Sequence, residues 1–303
     1  MTLQQLRYVC AVEKCGSITR AAQTLYVSQP AVSSTIRALE EELGITIFVR
    51  SPMGVTITKA GRDLVRMSNQ LLSDADHIDA YFRSERNKSE HPRLLVSSQH
   101  YDFAVTAFTE YINEIHRSYP GYTLGLRETS TANVIEDVLR QHSSLGILYV
   151  PGGDRKYMER ILTDRNLTFC SLKVAHPHAF LAKSHPLAGK DEVTPEELSE
   201  WPCLVYYQNE DSPSFYSEEI LIPGISPEKI IYISDLYLSE QTLTRCHAYD
   251  IGTGIMNPEL CKKIAAIPIR TDVTIDIGYI YRTDQQLGEE ELRFIEILKS
   301  HLA

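Results

Sequence analysis

Gln29, Ser33 and Arg37 lie four residues apart, a spacing that on a helix puts all three on one face, away from the apolar Val32 and Ile36. Their side chains suit the reading of base edges. Glutamine can hold adenine through N6 and N7, arginine can hold guanine through O6 and N7, and serine tolerates either. Ser28, Pro30 and Ser34 share the same small, polar leading edge, and Arg50 further on is placed to meet a backbone phosphate. The same stripe would also serve as an ordinary solvated helix face. A second polar set follows the strands expected later in the chain. It comprises Ser97, Ser98 and His100, then Thr129, Ser130 and Thr131, with Tyr149, Tyr206, Tyr207 and Thr253. Polar groups at strand ends beside helix N-termini can hold a small ligand, anions above all. Each Ser or Thr could equally be a helix cap. Tyr206 and Tyr207 alternate, so only one of them can face a cleft. The rings of Tyr101, Phe103, Tyr149, Tyr206 and Tyr207 point to a small organic or aromatic anion as the ligand.

Bond-making chemistry finds no constellation. The sequence has no G-x-S-x-G, no Walker loop and no H-E-x-x-H. Gly252-Thr253-Gly254 lacks the third glycine and the preceding strand of a dinucleotide fingerprint and reads as a turn. The runs Glu218-Glu219 and Glu289-Glu290-Glu291 read as helix starts. The six cysteines (Cys10, Cys15, Cys170, Cys203, Cys246, Cys261) form no C-x-x-C pair and no zinc spacing, which suits a reducing compartment. No metal site, cofactor or catalytic residue is expected. Cys203, in Trp201-Pro202-Cys203-Leu204, is the candidate for a redox sensor, though no second cysteine lies near it in sequence.

The elements that position the first set are three helices and a hairpin. Thr2 and Gln5 form a capping box before Leu3, Leu6, Val9 and Val12, and Gly16 stops that helix. Ser17 caps a second helix carrying Ile18, Ala21, Ala22 and Leu25. After the break Tyr26-Val27-Ser28, Ser28 caps a third helix with Pro30 in its first turn, closed by Gly44. This order is a helix-turn-helix whose second member enters the major groove. Strands at Ile45–Val49 and Val55–Thr58 around the turn Ser51-Pro52-Met53-Gly54 make a wing, or mere cover for the helices.

Thr58 then caps a helix from Lys59 to about Arg86, roughly 40 Å long at 1.5 Å per residue. Leu64, Leu71 and Ile78 repeat every seven residues, with Ser68, Ala75 and Phe82 between them, a seam for pairing with a second copy. A dimer would require two-fold related half-sites on DNA.

The 303 residues are 43% hydrophobic and 23% charged, which excludes a disordered chain. No apolar run approaches the ~20 residues of a membrane helix, and MTLQQLRYVC does not start like a signal peptide, so a cytoplasmic protein is expected with no membrane partner. Net charge is −10, yet Arg7, Lys14, Arg20, Arg37, Arg50 and Lys59 against Glu13, Glu40, Glu41 and Glu42 leave residues 1–61 at +2. An acidic body behind a basic head lets only the head approach a polyanion. After the polar stretch 87–93, strands and helices alternate. The order of Leu94–Val96, Tyr101–Ser118, Tyr122–Leu126, Thr131–His142 and Leu145–Val150 predicts a parallel βαβαβ unit. Further strands are expected at Leu167–Leu172, Ala179–Ala182, Leu204–Tyr207, Ile230–Ile233, Gly254–Met256, Ile264–Ile269 and Ile275–Tyr281, with a last helix over Glu289–His301.

The run Ala21-Ala22-Gln23-Thr24-Leu25-Tyr26-Val27-Ser28-Gln29-Pro30-Ala31-Val32-Ser33, followed by Ile36-Arg37, Leu39-Glu40, Leu43-Gly44, Phe48, Arg50 and Thr58-Lys59-Ala60-Gly61, resembles LysR-type transcriptional regulators. It departs from them at Met53, where the family usually carries a basic residue in the wing turn. His185-Pro186-Leu187-Ala188 and Gly252-Thr253-Gly254-Ile255 extend the resemblance more loosely. The resemblance implies an α+β chain: a winged helix-turn-helix DNA-binding domain over 1–58, a linker and dimerisation helix over 59–90, and an effector-binding domain over 91–303. That domain would comprise two α/β subdomains like a periplasmic binding protein, the first about 91–170 plus 270–303 and the second about 171–269. It implies an effector in the cleft between them, facing Ser98, Thr129 to Thr131 and positions 206–207. Double-stranded operator DNA, a homodimer or homotetramer, and RNA polymerase are the partners so implied. A cysteine-based redox regulator, or a small-molecule binder with a vestigial head, are the alternatives.

Overall fold

The computed structural model describes residues 1–51, 54–85, 91–152, 155–208 and 219–302, and divides into two compact units, Met1–Arg86 and Asn87–Ala303. In the first unit the caps lie where local chemistry puts them. Thr2 and Gln5 cap α1 (Leu3–Cys15) reciprocally, and Gly16, at φ 61°, ends it. Ser17 caps α2 (Ile18–Thr24), and Ser28 caps α3 (Gln29–Leu43), which Gly44 closes at φ 65°. Leu6, Val9, Val12, Ala21, Val32, Ile36, Leu39 and Ile47 interlock as the core.

The hairpin pairs β1 (Phe48–Ser51) with β2 (Gly54–Ile57) in antiparallel register, Phe48 opposite Ile57. Its first strand starts three residues later than the alternation from Ile45 suggests. Glu40 supplies the reason: its Oε1 accepts the amides of Ile47 at 2.7 Å and Phe48 at 3.1 Å, holding the chain against α3. Met53 lies outside the described residues, as does the side chain of Arg50.

Thr58 Oγ1 accepts the Gly61 amide at 2.9 Å and so caps α4 (Lys59–Glu85). A Cβ on Gly61 would stand 2.4 Å from the Ile47 carbonyl oxygen, so this close approach of helix to chain admits only glycine. The helix belongs to the first unit rather than forming a separate linker from residue 59, because Leu64, Val65 and Leu72 pack on the head's core and Arg7 pairs with Asp76 at 2.6 Å. Of the expected seam, Leu64 and the buried Ser68 thus face their own chain, and Ala75 is half-buried. Leu71 and Ile78 are exposed at 46% and 57%, with Met67 beside them. The Phe82 side chain lies outside those described.

The second unit begins with β3 (Arg93–Ser98), α5 (Asp102–Ser118), β4 (Thr123–Glu128), α6 (Thr131–Leu139) and β5 (Leu145–Pro151), and β3 pairs parallel with both β4 and β5. Then follow α7 (Arg155–Asp164), β6 (Leu167–Ala175), β7 (His178–Ala182), α8 (Pro195–Ser199), β8 (Cys203–Tyr206), β9 (Ile230–Ile233), α9 (Leu236–Cys246), β10 (Tyr249–Gly252), β11 (Ile264–Pro268), β12 (Ile275–Arg282) and α10 (Glu289–Ser300). The described strands form two five-stranded sheets, β4-β3-β5-β12-β6 and β11-β7-β10-β8-β9. The chain passes between them at 176–177 and returns at 269–274, and the Ile269 amide donates to the Pro177 carbonyl at 3.1 Å across the two crossings.

Two boundaries move. β6 stays in the first sheet through Ala175, paired along its length with β12, so the first crossing comes after 175 and not at 170. Gly254–Met256 is not a strand; the strand is Tyr249–Gly252, paired with β7 and β8, and Gly254 turns the chain out at φ 79°.

Gly61→Ala is expected to destabilise the first unit by about 1–3 kcal/mol through overpacking. Urea titration followed by far-UV circular dichroism should show an earlier transition, with the fluorescence of Trp201, in the second unit, unmoved.

Candidate functional site

Each unit carries one candidate site. In the first, Gln29, Pro30, Ser34 and Arg37 are exposed on α3 and Ser33 is half-buried, while Val32, Ile36 and Leu39 are buried on the opposite face. Ser28 Oγ accepts the Ala31 amide at 3.4 Å and Ser34 Oγ donates to the Ala31 carbonyl at 3.1 Å, so both hydroxyls help hold the first turn. Gln29 and Arg37 remain as long side chains projecting from one straight edge. The reading of residue types passed over Tyr26, which is 95% exposed in the turn between α2 and α3 and held at φ 55°. A non-glycine residue there is strained, and the break Tyr26-Val27-Ser28 was its only trace in the sequence.

The second unit has a partly open cavity of about 270 Å³ between its two sheets. From the first sheet it takes His100 to Phe103 after β3, Glu128 at the end of β4, and Tyr149 of β5. From the second it takes Phe180 of β7, Tyr206 of β8, the first turns of α9, and Asp250 to Thr253 of β10 and the turn after it. His100 stacks on Tyr206, ring centroids 4.2 Å apart and 11° from parallel, so one contact joins the two walls. Asp102 makes another. Its Oδ2 accepts the Asn257 amide at 2.6 Å and its Oδ1 the Asn257 side-chain Nδ2 at 2.7 Å. Burial pushes the Asp102 carboxyl up, and these two hydrogen bonds pull it back.

Of the ten side chains expected at the ligand, His100, Tyr149, Tyr206 and Thr253 line the cavity. Six do not. Ser97 is fully buried and donates to Asp137 Oδ2 at 2.7 Å, within a set that includes Arg127 and Ser143. Ser98 Oγ donates to the Gln99 carbonyl at 2.7 Å. Thr129 Oγ1 accepts from Asn133 at 2.9 Å, and Thr131 Oγ1 accepts from Gln99 Nε2. Ser130, at the N-cap of α6, is buried, and Tyr207 is 65% exposed, stacked on Tyr232 at 5.5 Å. Strand alternation sends Tyr206 inward and Tyr207 outward.

Gln99 lies beneath the cavity floor: its Oε1 accepts the Tyr149 amide at 2.9 Å and the Tyr101 hydroxyl, and its Nε2 reaches Thr131. Among the lining residues that the sequence reading did not select are five carboxylates: Asp102, Glu128, Glu219, Glu240 and Asp250. The strand-end rule that selected Thr129 would have found Glu128 one residue earlier. Among the described residues no group of three or more His, Cys, Asp or Glu side chains is placed to hold a metal ion, and no helix is long and apolar enough to cross a membrane.

A model of the bacterial regulatory helix-turn-helix protein, lysR family, matches residues 3–62, and a model of the LysR substrate binding domain matches residues 98–303. The chain is similar to the HTH-type transcriptional regulator SsuR of Burkholderia cenocepacia, 28% identical over 237 residues that cover 78% of this chain and 73% of that one. It is 26% identical to the HTH-type transcriptional regulator CysB of Haemophilus influenzae over 285 residues, covering 93% and 82%. The crystal structure of full-length CbnR complexed with its target DNA has the same fold, with a TM-score of 0.63, 20% identity, and 99% and 100% of the two chains covered.

Cys203 tests the redox alternative. It is buried at the start of β8, and desolvation pushes its thiol up to about 12, with the carboxylate of Asp250 adding to the shift. At pH 8 such a group is thiolate in roughly one molecule in 10⁴, and the thiolate is the form that peroxide attacks. Treatment of the native protein with a thiol-specific disulfide reagent, followed by peptide mapping, should label the exposed Cys246 and Cys261 and leave Cys203 intact until the chain is unfolded. Rapid labelling of native Cys203 would favour the redox reading.

Proposed function

The chain belongs to the LysR family of bacterial transcriptional regulators, and on that premise we propose that it binds operator DNA through α3 and answers to a small-molecule effector held between the sheets of its second unit. The observation that carries the DNA half is the exposed edge of α3. Gln29 and Arg37 project from a helix whose other face is locked into the head's core, which is the arrangement a major groove requires. CbnR, which shares the fold, has been crystallised on its target DNA. The effector half rests on the match to the substrate binding domain and on the cavity lined from both sheets.

The exposed run Met67, Leu71 and Ile78 along α4 supports a homo-oligomer, because a helical stripe of that size is rarely left in water. A two-fold dimer would read two-fold related half-sites in the cytoplasm, where the effector would shift the balance between conformations that RNA polymerase meets.

Gel shift of the full-length protein on its own upstream intergenic DNA, against scrambled competitor at two salt concentrations, should give a salt-sensitive complex that survives competition. Arg37→Ala should weaken that complex by about 1–3 kcal/mol and relax one base position. Equal losses on specific and random DNA would reduce Arg37 to a phosphate contact. Ile78→Lys should shift the protein toward monomer in sedimentation velocity, and an unchanged sedimentation coefficient would remove this stripe from the interface.

A further inference from the structure

The wall of the cavity carries carboxyl groups as well as aromatic rings. Asp102, Glu128, Glu219, Glu240 and Asp250 all line it, and among the described residues no lysine or arginine does. Glu240 reaches outward to Lys263 at 2.6 Å, Glu219 accepts the Tyr206 amide at 2.8 Å, and Asp250 accepts from Ser239 at 3.3 Å. From Asp191 to Glu228 the sequence carries no lysine or arginine at all. Helix N-termini ordinarily draw anions, but here the chain's own carboxylates already answer them. Asp102 sits in the first turn of α5, and Asp235 caps α9 by accepting the Leu238 amide at 2.8 Å. An anion entering this space would give up its water to meet like charge. A cation would meet carboxylates and the ring faces of Phe103, Tyr149, Phe180 and Tyr237.

We propose that the ligand of this cavity is an organic cation: a protonated amine on an apolar, preferably aromatic body small enough for about 270 Å³. This reverses the charge expected from strand-end hydroxyls and keeps the aromatic character. It rests on the reading of the cavity as the effector site, and the test separates the two.

Isothermal titration of the full-length protein with three compounds of one skeleton, 2-phenylethylamine, 2-phenylethanol and phenylacetate, isolates the charge. The amine should bind at least about tenfold more tightly than the other two. Glu128→Gln and Asp250→Asn should each erase most of that preference while leaving 2-phenylethanol within about twofold of wild type. Thermal melts identify any variant that fails to fold, and the other then decides. Val105→Trp, which fills the cavity from α5, should abolish amine binding. Tighter binding of phenylacetate, blocked by Val105→Trp, overturns the cationic assignment and keeps the cavity as the effector site. Amine binding that Val105→Trp leaves untouched overturns the cavity reading itself. No saturable binding of any of the three to well-folded wild type overturns the proposal.

Discussion

One buried carboxylate bridges the two halves of the second unit. Asp102 belongs to α5, packed on the first sheet, and its two oxygens grip the backbone and the side chain of Asn257, which follows β10 of the second sheet. Burying a carboxylate is costly, which is why burial pushes its pKa up, and the two short hydrogen bonds offset that cost only while both partners stay in place. The pair therefore ties one wall of the cavity to the other. His100 on Tyr206 adds a second contact between them, flat and adaptable where the Asp102 contact is directional.

The head was legible in the sequence because its determinants are local. Ser17, Ser28 and Thr58 cap the helix that begins next to each of them, and Gly16 and Gly44 end theirs in the left-handed conformation. Apolar spacing named the core residues for the same reason. What escaped depended on groups further away. Glu40 delays the first strand of the wing from seven residues back, and α1 claims the opening half of α4 from some sixty positions earlier. A seven-residue repeat records that a helix has an apolar stripe; it does not record that Leu64 packs on its own core while Ile78 is left exposed.

The cavity of the second unit shows the same division. Reasoning from strand ends reached the loops around the cavity, and four of the ten side chains it selected line that space. Ser97 is taken by Asp137 and Thr131 by Gln99, partners 40 and 32 residues away that only the folded sheet brings close. Hydroxyls are small enough to be absorbed into such networks. Longer acids at neighbouring positions reach past them, which is why Glu128 lines the space and Thr129 does not.

The paired crossings between the sheets have a mechanical consequence. Two strands of chain, at 176–177 and 269–274, tie the halves together, and the hydrogen bond from Ile269 to Pro177 fastens one strand to the other. A single tether would let the halves twist, slide and bend. Two tethers laid side by side suppress twist and shear and leave bending about their common line as the soft coordinate. A molecule that draws the halves together then freezes one degree of freedom instead of several, so less of its binding free energy is lost to ordering the protein and more is left to bias conformation.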